Sequence, residues 1–356
     1  MTTKRFTLSR KHFLGCGLGG VALALWGCTA AESPPSPSDK PTPVVLNGAG
    51  ATFPAPIYQR WFQEYNRIHP EVQISYQPVG SAAGVRQFVV ETVDFGASDV
   101  AMTAAEAKDL TRPFLMLPMT AGTIVLAFNL PGIKELNLRR SVYVDIFLGA
   151  ITRWNDPAIA QDNPDLSLPD QEILLVYRSD GSGTTALFTK HLSLVSETWR
   201  NGPGEGFSIQ WPTGFGARGN EGVTAQIAQA PGTLGYVEYV YAKQNRLTIA
   251  LLENKAGEFV AATPEQTSRT LASVVLPENL VGFDLDPKGK DVYPIVSYTW
   301  LLLYQKYANA RQAEVLREVL NWILSEGQKL STDLGFIPLP PETVAKIEPL
   351  IATISA

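Results

Sequence analysis

Four short segments gather small residues, hydroxyls and a few placed charges in patterns that suit holding an anion. Gly48-Ala49-Gly50-Ala51-Thr52-Phe53-Pro54-Ala55-Pro56 offers the Thr52 hydroxyl and the Phe53 backbone N–H. Gly80-Ser81-Ala82-Ala83-Gly84 offers Ser81, and Phe95-Gly96-Ala97-Ser98-Asp99 ends on a carboxylate. Arg178-Ser179-Asp180-Gly181-Ser182-Gly183-Thr184-Thr185 places a guanidinium just before the donors of Ser182, Gly183 and Thr184. Hydroxyls donate, glycine lets backbone amides approach, and the arginine fork matches a tetrahedral oxyanion. Asp180 is spaced to hold Arg178 and temper its charge. Asp99 is the odd member, because a carboxylate repels a fully deprotonated oxyanion and only a ligand that carries a proton has something to give it. Each segment alone also reads as ordinary local structure. Thr52 and Ser81 suit helix caps, Asp99 a solvated loop acid, and the fourth segment a capped helix beside a surface ion pair.

The elements around these segments alternate β and α. Val44-Val45-Leu46 is a short strand, and Ile57, Tyr58, Trp61, Phe62 and Tyr65 recur at helical spacing behind Pro56, a first-turn proline. Val72, Ile74 and Tyr76 alternate with polar residues as a strand, and Val85, Phe88 and Val89 begin a helical face. Thr123–Phe128, Ile173–Tyr177 and Ile295–Tyr304 are apolar strands. Leu187, Phe188 and Leu192 share a helical face. Ala313, Leu316, Leu320 and Ile323 predict a long amphipathic helix stopped at Gly327. This alternation implies α/β domains with mostly parallel sheets. Three of the Gly-rich turns then follow strands and open helices. That is where open α/β sheets bind ligands and where helix N-termini present unpaired N–H groups.

The chain has 356 residues, enough for two domains. Its net charge is −5 with no basic block, which argues against nucleic acid as a partner. Lys4, Arg5, Arg10 and Lys11 precede an apolar run from Phe13 to Gly27, whose fifteen residues span only ~22 Å as a helix, short of a ~30 Å hydrocarbon core. A basic flank and a short apolar run read as an export signal over residues 1–27. Leu25-Trp26-Gly27-Cys28 resembles a lipoprotein cleavage site, so Cys28 is the expected lipidation residue. Ser9-Arg10-Lys11-His12-Phe13-Leu14 also resembles a twin-arginine signal, and general secretion remains open. Five prolines between Thr29 and Pro43 make residues 28–43 a semi-rigid tether able to reach ~45 Å. Loss of the leader removes Cys16 and four cations from an already acidic chain. Such a protein holds an anion with local dipoles and placed groups, not with a positive field.

An enzyme, such as a secreted phosphatase, finds little support. His69 and His191 have neither metal-ligand spacing nor a nucleophile motif beside them. Asp180-Gly-Ser-Gly-Thr is not a nucleophile elbow, and there is no Walker loop. No catalytic residue, cofactor or metal is expected. Sulfate and molybdate binders are disfavoured by Asp99, since those anions carry no proton at neutral pH. A lipid-anchored structural protein would not need Ser, Thr and Arg gathered at strand ends. Trp61, Phe62, Tyr65, Trp199 and Trp211 are assigned to packing.

Together, Gly48–Pro56, Val93-Asp-Phe-Gly-Ala-Ser-Asp99, Asp180-Gly-Ser-Gly-Thr184, Gly235-Tyr-Val-Glu-Tyr239 and Tyr241-Ala-Lys-Gln-Asn245 resemble the phosphate-binding proteins of bacterial phosphate-specific ABC transporters. The matches run in order over nearly the whole body. The resemblance implies a periplasmic-binding-protein fold, with two α/β lobes joined by a hinge and the ligand in the cleft. It also implies phosphate ligation by Thr52, Phe53, Ser81, Asp99, Arg178, Ser182, Gly183 and Thr184, with Asp180 as partner of the arginine. Ala82-Ala83 departs from the Ser-Gly common in the family and touches only the local backbone path. The expected lobes are 44–122 plus 295–356 and 123–294, with crossings near 120–124 and 292–297. The expected protein is a monomer outside the cytoplasmic membrane, tethered by lipid, that delivers phosphate to permease subunits without catalysis.

Overall fold

The computed structural model describes residues 43–356. The leader, Cys28 and all of the tether but Pro43 lie outside the described residues. Among the described residues no helix is long and apolar enough to cross a membrane.

The strands are β1 (Val44–Gly50), β2 (Val72–Pro78), β3 (Phe95–Ser98), β4 (Phe114–Asn129), β5 (Asn137–Leu138), β6 (Leu174–Arg178), β7 (Phe215–Ala217), β8 (Thr233–Glu238), β9 (Thr248–Ile249), β10 (Leu251–Glu253), β11 (Phe259–Val260) and β12 (Val296–Tyr304). The main sheet runs β2-β1-β3-β12-β4-β8-β6-β7, with β9 added to β4, and β11-β10-β5 form a small separate sheet. β4 belongs to both halves of the main sheet. From Phe114 to Thr123 it pairs antiparallel with β12, and from Ile124 to Asn129 it pairs antiparallel with β8. Two α/β lobes result, one on each side of this shared strand.

The sheets are mixed, which corrects the mostly parallel expectation. β1 is parallel to β2 and β3, and β6 to β7 and β8, but β12 lies antiparallel to both β3 and β4. A second correction concerns length. β4 begins nine residues before the apolar strand read at Thr123, and Pro118 is what conceals it. Proline cannot donate to a ladder, so it normally marks an edge or a bulge. Here the register with β12 shifts between Thr299 and Trp300, opposite Pro118 and Thr120. The bulge absorbs the proline within a central strand.

Gly327 also does not stop its helix. Ala310–Trp322 continues through a π-helical turn at Ile323–Gly327 into Gln328–Leu334, and Gly335, at φ +110°, ends it. The carbonyl of Gly327 accepts from Trp61 Nε1 at 2.7 Å, and a Cβ there would meet that nitrogen at 3.1 Å. Gly327 eases this close approach and does not terminate the helix.

The core is layered on both faces of the sheet. Tyr58, Trp61, Phe62 and Tyr65 of the helix Ala55–Ile68 bury one face, as their 3–4 residue spacing requires. In the other half Phe188, Tyr236, Phe147 and Trp211 stack on one another, and Trp199 is buried beside them. Trp211 is only half-buried, but it packs against Tyr177 as well.

Candidate functional site

The Gly-rich turns lie at the carboxyl ends of parallel strands. β1 leads through Thr52 and Phe53 to the helix Ala55–Ile68, and β2 through Gly80 to the helix Ser81–Val89. β6 leads through Asp180 and Ser182 to the helix Gly183–Val195. A fourth turn of this kind follows β7, where Gly219, at φ +72°, opens the helix Gly219–Gln229 with Asn220 in its first turn.

These turns meet. Thr52, Phe53, Ser81, Asp99, Arg178, Ser182 and Thr184 are all buried. Ser81 does not cap its helix, since it is the first helical residue and its hydroxyl faces Asp99 Oδ2 at 3.2 Å. Thr52 is not a cap either, because Pro54 holds that position. Ser182 does cap, accepting from Thr185 N at 3.0 Å. Its hydroxyl hydrogen is left free to donate. Gly183 shows how closely the chain segments approach. A Cβ there would lie 2.4 Å from Ser81 Oγ and 2.5 Å from Asp99 Oδ2. A backbone bond crosses between the same turns, from Ala82 N to Gly181 O at 3.0 Å.

Arg178 is locked in place by its neighbours. Its Nε and Nη2 fork onto Asp180 Oδ1 and Oδ2 at 2.7 and 2.5 Å, and Nη1 reaches Thr184 Oγ1 at 3.3 Å. Asp180 is itself held by Gly219 N at 3.0 Å. Burial opposes the charge of Arg178, yet the hydrogen bonds and charge of Asp180 leave the guanidinium above its ordinary value. Burial likewise pushes Asp180 up, but Arg178 carries it below the ordinary carboxylate range. The pair is thus ionised, and the remaining N–H groups of the guanidinium are available for an anion. The helix-opening amides of Gly183 and Thr184 add unpaired donors and the positive end of a helix dipole.

Asp99 is not a solvated loop acid. It is buried, with Oδ1 accepting from Thr299 Oγ1 at 2.8 Å. Burial pushes its carboxyl up to about 6, against the lowering pull of Thr299, Arg178 and Ser81. It is therefore a carboxylate above that pH and a proton donor below it. Glu238 is a second buried carboxyl, at the end of β8. Its Oε2 accepts from Val240 N at 2.8 Å, while its Oε1 has no partner among the described residues. Burial raises it well above the ordinary carboxylate range, which favours its neutral form.

Sequence reasoning did not single out Thr299, Asn220, Glu238 or Tyr241. Tyr241 donates from its hydroxyl to Thr52 O at 2.6 Å, and Asn220 donates from Nδ2 to Thr52 Oγ1 at 2.8 Å. Glu238 and Tyr241 lie in the Gly235–Asn245 stretch that carried the resemblance. The signal for Asn220 was Arg218-Gly219-Asn220, a further strand–glycine–helix turn. Thr299 sits inside an apolar strand 200 residues from Asp99 and left no local trace.

A buried cluster of hydroxyls and backbone amides around Arg178 and Asp99 is suited to hold a protonated tetrahedral anion. Among the described residues no cluster of His, Cys, Asp and Glu could hold a metal ion. Residues 35–327 match the PBP superfamily domain. The chain is 40% identical over 308 residues to the phosphate-binding protein PstS of Pasteurella multocida, covering 85% of this chain and 88% of that one. It is 37% identical over 361 residues to the phosphate-binding protein PstS of Methanocaldococcus jannaschii, covering 94% and 92%. In fold it is similar to the phosphate-binding protein from Stenotrophomonas maltophilia, with a TM-score of 0.67 at 21% identity over 86% of this chain and 93% of that one. The chain belongs to the phosphate-binding protein family, the non-catalytic substrate-binding components of ABC transporters.

Proposed function

We propose that this protein binds inorganic phosphate outside the cytoplasmic membrane and delivers it to the permease of an ABC importer. Relatives named phosphate-binding proteins, similar over most of their length, support phosphate binding and transport in general. The finer reading rests on Asp99. Its carboxylate lies buried among Ser81, Thr299 and Arg178, where a fully deprotonated anion meets an acceptor and a hydrogen phosphate meets a partner for its proton. Thr52, Phe53, Ser81, Arg178, Ser182, Gly183 and Thr184 supply the donors, and Asp180 positions the arginine.

The ligand sits between lobes formed by 44–122 plus 295–356 and by 123–294. Two observations support that division: β4 changes partner between Thr123 and Ile124, and the candidate donors come from both sides of it. Lipidation at Cys28 tethers the monomer to the membrane. Equilibrium dialysis with labelled phosphate tests the reading. Phosphate and arsenate, which share shape and proton, should compete, and sulfate should not. Equal competition by sulfate would refute it.

A further inference from the structure

We infer that Asn220 sets the direction in which the hydroxyls of Thr52 and Thr184 donate, and so makes both of them anion donors. The inference rests on the phosphate-site reading above. Asn220 is fully buried in the first turn of the helix Gly219–Gln229. Its Oδ1 accepts from Glu238 N at 3.0 Å. A backbone N–H can only donate, so this contact fixes which end of the amide is oxygen. The Nδ2 group then has two hydrogens, and both are used. One goes to Thr52 Oγ1 at 2.8 Å and the other to Thr184 Oγ1 at 3.2 Å.

Each threonine oxygen also receives a second donor. Thr52 Oγ1 accepts from Asn220 N at 3.3 Å, and Thr184 Oγ1 from Arg178 Nη1 at 3.3 Å. A hydroxyl oxygen has two lone pairs and one hydrogen. With both lone pairs occupied, each hydroxyl can only donate with what remains. Neither hydrogen has a protein acceptor among the described residues. Two buried O–H groups, anchored on one amide nitrogen, are thereby left to an outside acceptor. Tyr241 reinforces the arrangement by holding the Thr52 carbonyl at 2.6 Å. Without Asn220, either hydroxyl could turn its hydrogen toward the protein and present a lone pair to the anion.

A set of double-mutant cycles read by calorimetry with inorganic phosphate tests this. Asn220→Ala should weaken phosphate binding by about tenfold or more in the otherwise native protein. The same change should cost about threefold or less in a Thr52→Val or a Thr184→Val background, where a hydroxyl to be oriented is gone. Asn220→Asp keeps the acceptor for Glu238 N, and so preserves the fold if the alanine variant is too unstable. Its second oxygen would capture the threonine hydrogens, and it should lose more affinity than alanine, again less so in the valine backgrounds. An unchanged affinity in Asn220→Asp, or an Asn220 effect equal in all backgrounds, overturns the role of Asn220 while leaving the phosphate site standing. Absence of phosphate binding in the native protein overturns the site reading, and this role falls with it.

Discussion

Replacing Asp99 by asparagine removes a charge and converts one acceptor oxygen to a donor in a fully buried position. Thr299 holds Oδ1 at 2.8 Å, so the new amide group takes the Oδ2 place facing Ser81 and the Gly183 backbone. For phosphate, the variant loses a charge-assisted hydrogen bond to the ligand proton. That costs about 1.5–3 kcal/mol, or about ten- to 150-fold in affinity. For sulfate, the variant removes a desolvated clash between two acceptors. Relief of such a contact is on the order of 2–5 kcal/mol, roughly thirtyfold to several thousandfold. Both effects shrink the gap between the two anions, so phosphate selectivity should narrow by more than either alone. Acid should mimic the substitution, because the Asp99 carboxyl is pushed up to about 6 by burial. Native protein should exclude sulfate at pH 8 and begin to admit it as the pH falls below 6, while the Asp99→Asn variant shows no such step. Isothermal calorimetry with both anions at pH 5 and pH 8 reads all of these quantities. If sulfate stays excluded in the variant while phosphate binding is untouched, Asp99 does not set selectivity.

Arg178→Ala removes a buried cation and leaves Asp180 unpaired; it should weaken phosphate binding by about tenfold to several thousandfold, read by the same calorimetry. Gly183→Ala puts a methyl 2.4 Å from Ser81 Oγ and 2.5 Å from Asp99 Oδ2. It should abolish tight phosphate binding with little change in melting temperature, and small-angle scattering should show a larger radius of gyration than for native protein with phosphate. Glu238→Gln should stabilise the protein near neutral pH. Burial raises the folded-state carboxyl well above its ordinary value, so the unfolded chain ionises first and binds fewer protons than the folded one. The stability that the neutral acid contributes is complete below the ordinary carboxylate range and drains away, by at most about 1.4 kcal/mol per pH unit, as the pH rises toward the folded-state value. Melting curves from pH 4 to pH 8 should therefore show the variant gaining on native protein as pH rises; parallel curves would mean that Glu238 is ionised in the fold.

Much of the candidate site was legible because its chemistry is local. A strand, a glycine and a helix start within ten residues bring Thr52, Ser81 or Ser182–Thr184 to a sheet end, whatever the rest of the chain does. Arg178 and Asp180 were legible as a pair because a single residue separates them at the end of β6. Contacts that depend on distant pairing were not. Thr299 meets Asp99 only because β12 returns antiparallel beside β3, and its own strand shows uninterrupted burial that marks no residue for function. Asn220 follows a strand of just three residues, too short for alternation to be seen. Pro118 hid half of β4, since the bulge that tolerates it is a property of the β4–β12 pair. Gly327 looked like a stop signal, and only the position of Trp61 explains it.

On the proposed reading, a protonated tetrahedral anion is held between the two lobes, with its proton on Asp99 and its charge on Arg178. A crystal structure of the native protein with inorganic phosphate at pH 8 tests it most directly. One phosphate oxygen should lie about 2.5–2.7 Å from an Asp99 carboxylate oxygen, a short charge-assisted contact. Others should lie within about 3 Å of Arg178, of the Gly183 and Thr184 amides, and of the Thr52 and Thr184 hydroxyls. Phosphate bound elsewhere, or bound here with every oxygen beyond hydrogen-bond reach of Asp99, would contradict the account.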